Sequence, residues 1–413
     1  MICTGHAVNE LARSYAVRMR EVRRYLHRQP ELSGEETRST AFLSEVVSDL
    51  GLSPTLAGDG RGLYVDIGGD LDSDRDSARD SNRIAIRADI DALPIATELD
   101  VDYASRVDGV MHACGHDVHS AIAFGVAAML SELSQQGCPV NARIIFQPEE
   151  ETSQGGLHMI ASGALKNIGG AIALHVDPTR PSGTIGVRDG SFTAGCDLFT
   201  CVIRGRGGHG ARPHLTGDTI GAAAQWVTDT YRRVPRTTDA RDAVVVNVGT
   251  MQSGAAPNVV PAEACMSGTL RTLSNSSGSK AKQTMQEISN SIAAVHKCEV
   301  SLTFGQHTPP VQNDVAMNLL LRDSGIELLG RNNVREIDQP SMGAEDFSFI
   351  AREVPAAMFR LGVAGIDVGS EPLHTSKFDI DESAMEIGAS VLTFAAMRWC
   401  ESSVLNLSHK AEA

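Results

Sequence analysis

LFTCVIR (Leu198–Arg204) reads as a strand, and it opens the run of elements whose order decides the fold. After it come a helix at Thr219–Arg233, strands at Ala243–Met251 and Ala264–Leu270, a helix at Gly278–Val295 and a strand at Glu299–Phe304. The order is β-α-β-β-α-β, the split βαβ or ferredoxin-like arrangement of about a hundred residues. It is complete in itself.

On either side the rhythm differs. Before it, a charged amphipathic stretch (Val8–Arg28) and a second helix (Glu35–Leu50) lead into apolar runs at Leu63–Ile67, Ile84–Ala88, Ala142–Phe146 and Ala171–Val176. A long helix, His116–Leu133, lies between the second and third runs. After Pro309-Pro310 the same character resumes, with a helix at Asp314–Leu329, a strand near Ala357–Leu361 and a helix from Ser383 to Trp399. Short buried strands alternating with helices predict an α/β domain with both sheet faces covered. The simplest architecture is one α/β domain from residues 1–190 and 306–413, interrupted by a ferredoxin-like domain at 191–305. DLDSDRDSARDSNR (Asp70–Arg83) is polar throughout except for Leu71 and Ala78, and reads as a solvated hairpin insertion.

Composition excludes several functions. A net charge of −15 over 413 residues provides no basic stripe for nucleic acid and disfavours anionic lipid. No stretch reaches the roughly 18–20 apolar residues of a membrane span, and the first twenty-odd residues hold no signal-like apolar core. Eight cysteines without a C-x-x-C pair resemble reduced thiols, so the expected location is cytoplasmic.

Ligands usually bind at the carboxyl ends of strands in open α/β sheets, and three polar stretches fall there: ADIDALP (Ala88–Pro94), MHACGHDVH (Met111–His119) and FQPEEE (Phe146–Glu151). ALHVD adds His175, and PLHTSKF places His374 in a loop. Together they offer the His, Cys, Glu and Asp ligands of Zn²⁺ and its first-row neighbours. Cys114 and His116 share one loop before a helix and can reach one ion. Alone, the pair reads equally as a buried thiol beside a core histidine. The run Glu149–Glu151 follows an apolar strand and precedes Gly155-Gly156, which favours function over a solvated charge run. Neighbouring carboxylates allow one to bind metal while the other moves protons. His175 and His374, taken singly, read as structural histidines.

These motifs resemble the aminoacylase–carboxypeptidase superfamily of di-metal amidohydrolases. The closer likeness is to the branch of hippurate hydrolases, N-acyl-amino-acid amidohydrolases and indole-acetyl-amino-acid hydrolases. The likeness runs in order from RRYLHRQPELSGEE (Arg23–Glu36) through the stretches above, GGHGARPH (Gly207–His214) and APNVVPAEA (Ala256–Ala264) to SMGAEDFSF (Ser341–Phe349). It implies a zinc-peptidase-like catalytic domain with the ferredoxin-like insert as a dimerisation domain. Two divalent ions (Zn, Mn, Co or Ni) would be bound by Cys114, His116, Glu151, His175 and His374. Glu150 would be the general base and acid, and Asp91 would orient a metal ligand. His209, from a partner subunit, would stabilise the oxyanion; Asn258 and Arg271 would hold the substrate's carboxylate. The family pattern is FQPAEE, and Glu149 stands here where Ala is usual. Alignment from Phe146-Gln147-Pro148 gives these roles, and a one-residue slip is the alternative. Without the likeness, His209 reads as a turn cap, Asn258 as a turn residue and Arg271 as a solvated strand end.

The expected activity is therefore hydrolysis of the amide bond of a small N-acyl amino acid. The alternatives are an exopeptidase on dipeptides, a deacetylase of a biosynthetic N-acetyl amine, or a non-catalytic ligand-binding protein on the same fold. Gly205–Gly210 also matches the G-x-G-x-x-G dinucleotide pattern, but Arg212-Pro213 follows and no helix begins before Thr219.

Overall fold

The computed structural model describes residues 4–69 and 83–411 and divides into two compact units. The first comprises Met1–Gly190, Gln312–Asp338 and Asp346–Ala413; the second comprises Ser191–Val311 and Gln339–Glu345. The second unit thus extends past residue 305, because its last strand keeps pairing to Thr308 and Val311 still accepts from the Phe192 amide. Residues 70–82 of the polar stretch lie outside the described residues. Arg83, read with that stretch as solvated, is instead buried and bonded to Asp66 and Asn141.

The chain begins with α1 (Gly5–Arg28), whose first turn is capped by the Thr4 hydroxyl, and α2 (Thr37–Ser48). Then follow β1 (Thr55–Leu56), β2 (Leu63–Gly68), β3 (Ile84–Asp89), α3 (His116–Gln135), β4 (Asn141–Gln147), α4 (Gly155–Ala161), β5 (Gly170–Pro181) and β6 (Ile185–Val187). The second unit supplies β7 (Gly195–Arg204), β8 (Gly208–His209), α5 (Thr219–Arg233), β9 (Val244–Ser253), β10 (Val259–Val260), β11 (Glu263–Thr272), α6 (Asn275–His296) and β12 (Glu299–Thr308). The return contains α7 (Val315–Leu329), β13 (Val334–Glu336), α8 (Phe347–Glu353), β14 (Ala356–Ala364) and α9 (Ala384–Ala411).

In the first unit the strand order is β1-β2-β4-β3-β5-β14-β6-β13. The central strands are parallel and buried on both faces, so they read as continuous apolar runs rather than alternating ones. Ile144, Phe146, Ile172 and Phe359 lie in this core, each worth roughly 1.5–3 kcal/mol of burial. After β3 the chain crosses to β4 on one side, then to β5 on the other. That reversal makes the carboxyl end of β3 a topological switch point, where loops diverge and leave a crevice.

The second unit has strand order β9-β11-β7-β12, with α5 and α6 packed on one face. Along β7, Phe199, Cys201 and Ile203 point inward, while Leu198 and Arg204 are exposed. Trp226 is fully buried and donates its indole N–H to Ser289 Oγ at 2.9 Å. This is the ferredoxin-like order. The fold is α/β with an inserted ferredoxin-like domain, as the pattern predicts.

Candidate metal centre

At the switch point, β3 delivers Asp89 and, two residues on, Asp91; β4 leads into the glutamate loop; β5 carries His175. Helix α3 starts over the same crevice behind Gly115. This glycine has φ +87°, and a Cβ on it would lie 2.5 Å from Val176 Cγ2, so the loop closes tightly only with glycine. Cys114 and His116 flank it.

Two overlapping sets of ligating atoms result. Cys114, His116 and His175 form one, and Cys114, Glu151 and His374 the other; within each, all atoms lie within 4.8 Å of one another. A third set joins His116 with Glu150 and Glu151. Cys114 Sγ is 3.5 Å from His175 Nε2 and 3.3 Å from His374 Nε2, which is 3.4 Å from Glu151 Oε1. His116 Nε2 and Glu151 Oε1 are buried without hydrogen-bond partners and lie 4.0 Å apart. Burying such atoms unpartnered is costly unless something else satisfies them.

The ring hydrogen bonds set which nitrogen carries the lone pair. His116 Nδ1 donates to Asp91, whose carbonyl and Oδ1 lie at 2.9 and 3.0 Å, so Nε2 is the nitrogen left for a cation. Burial pushes the ring down, but Asp89, Cys114 and Asp91 together hold it well above its usual range, and a bound cation would take the place of the Nε2 proton. His175 Nδ1 donates to the Val176 carbonyl at 2.8 Å, which leaves Nε2 facing Cys114. Both rings are held as metal-binding histidines usually are. Burial and the nearby Glu151 charge push the Cys114 thiol well up. Burial and Arg360 hold His175 well below its usual range, hence neutral. A divalent cation at this point would reverse the penalty on the thiolate. The donor set therefore fits a pair of divalent ions, which Cys114, His116, Glu151, His175 and His374 would hold.

The three glutamates take different directions. Glu149 has φ +57°; its amide donates to Glu36 Oε1 at 2.8 Å, and its carboxylate pairs with Arg61 Nη1 at 2.8 Å. Glu150 and Glu151 instead come within 4.0 Å of His116 Nε2. The loop closes on itself, with the Ser153 amide on the Glu150 carbonyl at 2.7 Å and the Gln154 amide on the Glu149 carbonyl at 3.1 Å. Gly155 and Gly156 are dictated by contact: added Cβ atoms would lie 1.6 Å from the Pro148 oxygen and 2.6 Å from the Asp346 oxygen. Asp91 bridges two ligand segments. It takes the His116 ring on Oδ1, and the Ser33 hydroxyl and Glu151 amide on Oδ2 at 2.7 and 3.0 Å. Burial, the largest single influence, pushes its carboxyl up, but the His116 bond and charge, the Glu151 amide and the Ser33 hydroxyl together hold it below the usual range.

Sequence reasoning missed a supporting layer. Asp89, His116 and His119 also cluster, yet His119 has both nitrogens committed, Nδ1 to Asp89 at 2.6 Å and Nε2 to the Val176 amide at 3.0 Å. It braces the strand beside His175 rather than offering a lone pair. Arg23, fully buried, binds Asp117 at 3.2 Å, Glu382 at 3.0 Å and Asp379, joining the segment after His116 to the one after His374. Arg23, Asp89, Asp117 and His119 lie inside motifs already singled out, whereas Asp379 and Glu382 lie beyond them.

In the second unit, His209 pairs across a two-stranded ribbon with Val259, next to Asn258, and both His209 and Asn258 are exposed. His209 Nδ1 accepts the Ala211 amide at 3.1 Å, which puts the ring proton on Nε2. Arg271 is half-buried, and Nη1 donates to the Met342 carbonyl at 2.8 Å. The glycine pattern at 205–210 leads into this ribbon, not into a helix, so it forms no pyrophosphate turn.

Comparison with known proteins gives the class. A sequence model of peptidase family M20/M25/M40 matches residues 85–398. The chain is 32% identical to N-acetyl-L-cysteine deacetylase of Bacillus subtilis, over 92% of this chain and 88% of that protein. It is 33% identical to thermostable carboxypeptidase 2 of Saccharolobus solfataricus, over 92% of this chain and 94% of that one. A solved Bacillus subtilis structure, a dinuclear metal binding peptidase of family M20, matches with TM-score 0.79 at 30% identity, covering 94% of this chain and 99% of that one. The chain belongs to peptidase family M20/M25/M40. It is a hydrolase acting on amide or peptide bonds. No helix among the described residues is long and apolar enough to cross a membrane.

Proposed function

We propose that this chain hydrolyses the amide bond of small N-acyl amino acids at a two-metal centre. The observation that carries this is the pair of donor sets sharing Cys114 beside Glu150. Cys114, His116, Glu151, His175 and His374 would hold the ions, with Asp91 fixing His116 and Glu151. Two divalent ions bound there would acidify water and polarise a carbonyl near neutral pH.

The chain's own residues do the rest. Glu150 takes the proton of the attacking water and returns it to the amide nitrogen as the C–N bond breaks, an acid–base role worth about 10²–10⁴-fold. His209, with its proton on the outward Nε2, is set up as a hydrogen-bond donor to the developing oxyanion. It serves a second copy of the chain, in a homodimer formed through the inserted domain. Arg271 and Asn258 hold the substrate's carboxylate; the Met342 carbonyl orients the Arg271 fork for it. The seven described cysteines are free, in keeping with a cytoplasmic location.

The N-acetyl-L-cysteine deacetylase supports an N-acyl substrate, and the carboxypeptidase favours a second reading, exopeptidase action on short peptides. Initial rates on N-acyl amino acids, dipeptides and acetylated diamino acids, with and without chelator, separate them. The expected result is chelator-sensitive turnover, fastest on N-acyl amino acids. Faster dipeptide hydrolysis would favour the second reading, and ligand binding without turnover of any would support a non-catalytic protein.

A further inference from the structure

The GAEDF stretch (Gly343–Phe347) has no part in the chemistry above, yet its Asp346 is completely buried beside it. Burying a carboxylate there is costly unless its oxygens are satisfied, and both are. Oδ1 takes Arg87 Nη2 at 2.6 Å and Gln147 Nε2 at 2.7 Å; Oδ2 takes the Gly156 amide at 2.8 Å. Its own amide donates to Glu150 Oε1 at 3.4 Å. The same Arg87 holds Asp89 Oδ2 at 2.7 Å, and Asp89 in turn holds His119.

We infer that Asp346 is a positioning residue for Glu150, and that Arg87 ties this proton-carrier side of the centre to its His175 side. This rests on the reading of Glu150 as the proton carrier. The physical logic is closure. The glutamate loop leaves β4 at Gln147 and ends at Gly155-Gly156, and Asp346 bonds to both Gln147 and Gly156. The loop between these fixed ends has little freedom, and the Asp346 amide holds the Glu150 carboxylate at its tip. On the other branch, Asp89 and His119 brace the Val176 amide, so the histidine side does not depend on Asp346.

Asp346→Asn tests this selectively. The variant keeps the side-chain size, and its amide oxygen stays with the Arg87 and Gln147 donors. Its NH₂ then faces the Gly156 N–H, donor against donor, so the loop anchor is what fails. In metal-loaded protein, we expect amide hydrogen exchange across 148–156 to accelerate about tenfold or more, with exchange across 170–177 unchanged. On the N-acyl amino acid, kcat should fall about tenfold or more while KM stays within about threefold and metal content holds. Unchanged exchange in 148–156, or acceleration spread evenly over both segments with metal loss, would overturn the inference. If the wild type hydrolyses none of the substrates, the functional reading fails, and the exchange contrast alone decides the anchor. Should Asp346→Asn not fold, Arg87→Lys takes its place. It keeps the charge, loses the fork, and must loosen both 148–156 and 170–177.

Discussion

His116 opens α3 directly after Gly115, and His209 ends β8 between Gly208 and Gly210; their ring hydrogen bonds run in opposite senses. His116 is buried; its Nδ1 donates to Asp91, so Nε2 is the nitrogen left for a cation. His209 is exposed; its Nδ1 accepts from the Ala211 amide, so Nε2 offers a proton. In the proposed mechanism one ring would bind a cation and the other would donate to an anion. The difference lies in the second nitrogen's partner, not in the residue or its motif.

The largest effect that would sharpen this contrast is at the carboxylate beside His116. Glu150→Gln should lower kcat by about 10²–10⁴-fold with metal content intact, measured by steady-state kinetics and metal analysis. Should Glu150→Gln lose metal while Glu151→Gln keeps it, the two roles are exchanged. Next comes His209→Ala, expected to cost about 10²–10³-fold in kcat without stripping metal. Unchanged turnover would leave His209 as a turn cap only. Asp91→Asn attacks the partner that sets the His116 tautomer, and metal affinity by competition titration should weaken about 10–100-fold. The same affinity as wild type would mean that the ring orients itself.

The smallest effect is a pH dependence beside the loop. Burial raises the Glu36 carboxyl from its ordinary 4.5 to about 7. A folded pKa above the unfolded one gives a stabilising contribution that is complete below pH 4.5 and lost as pH rises through 7. Glu36→Gln, permanently neutral, should therefore lose less Tm than the wild type between pH 5 and pH 8 in the metal-free protein. Parallel Tm curves would show that Glu36 is not the group responsible.

Long elements were legible because their periodicity is. The helix at Thr219–Arg233 has the observed bounds, and the runs in β3, β4 and β14 differ from their strands by a few residues at the ends. Helices α4 and α8, seven residues each, were missed: too short to show a period, they are held by contacts such as Gly156 against Phe349. The ligand candidates were legible as polar residues where strands end, a place where burial demands a reason. Their supports were not. Arg87 sits among apolar neighbours in β3, and its partners Asp89 and Asp346 lie 2 and 259 residues away. Spacing along the chain carries no trace of the longer pairing. Glu149 shows the same limit, since the triplet reads as three equal carboxylates until Arg61 takes one of them.

Everything proposed for Glu150 and His209 requires two cations, which Cys114, His116, Glu151, His175 and His374 would hold. Anomalous diffraction from crystals grown with Mn²⁺ or Zn²⁺ tests it most directly. Two peaks about 3.5–4 Å apart are expected, one near His116 and His175 and one near Glu151 and His374. A single peak, or one seated instead between Asp89 and His119, would contradict it.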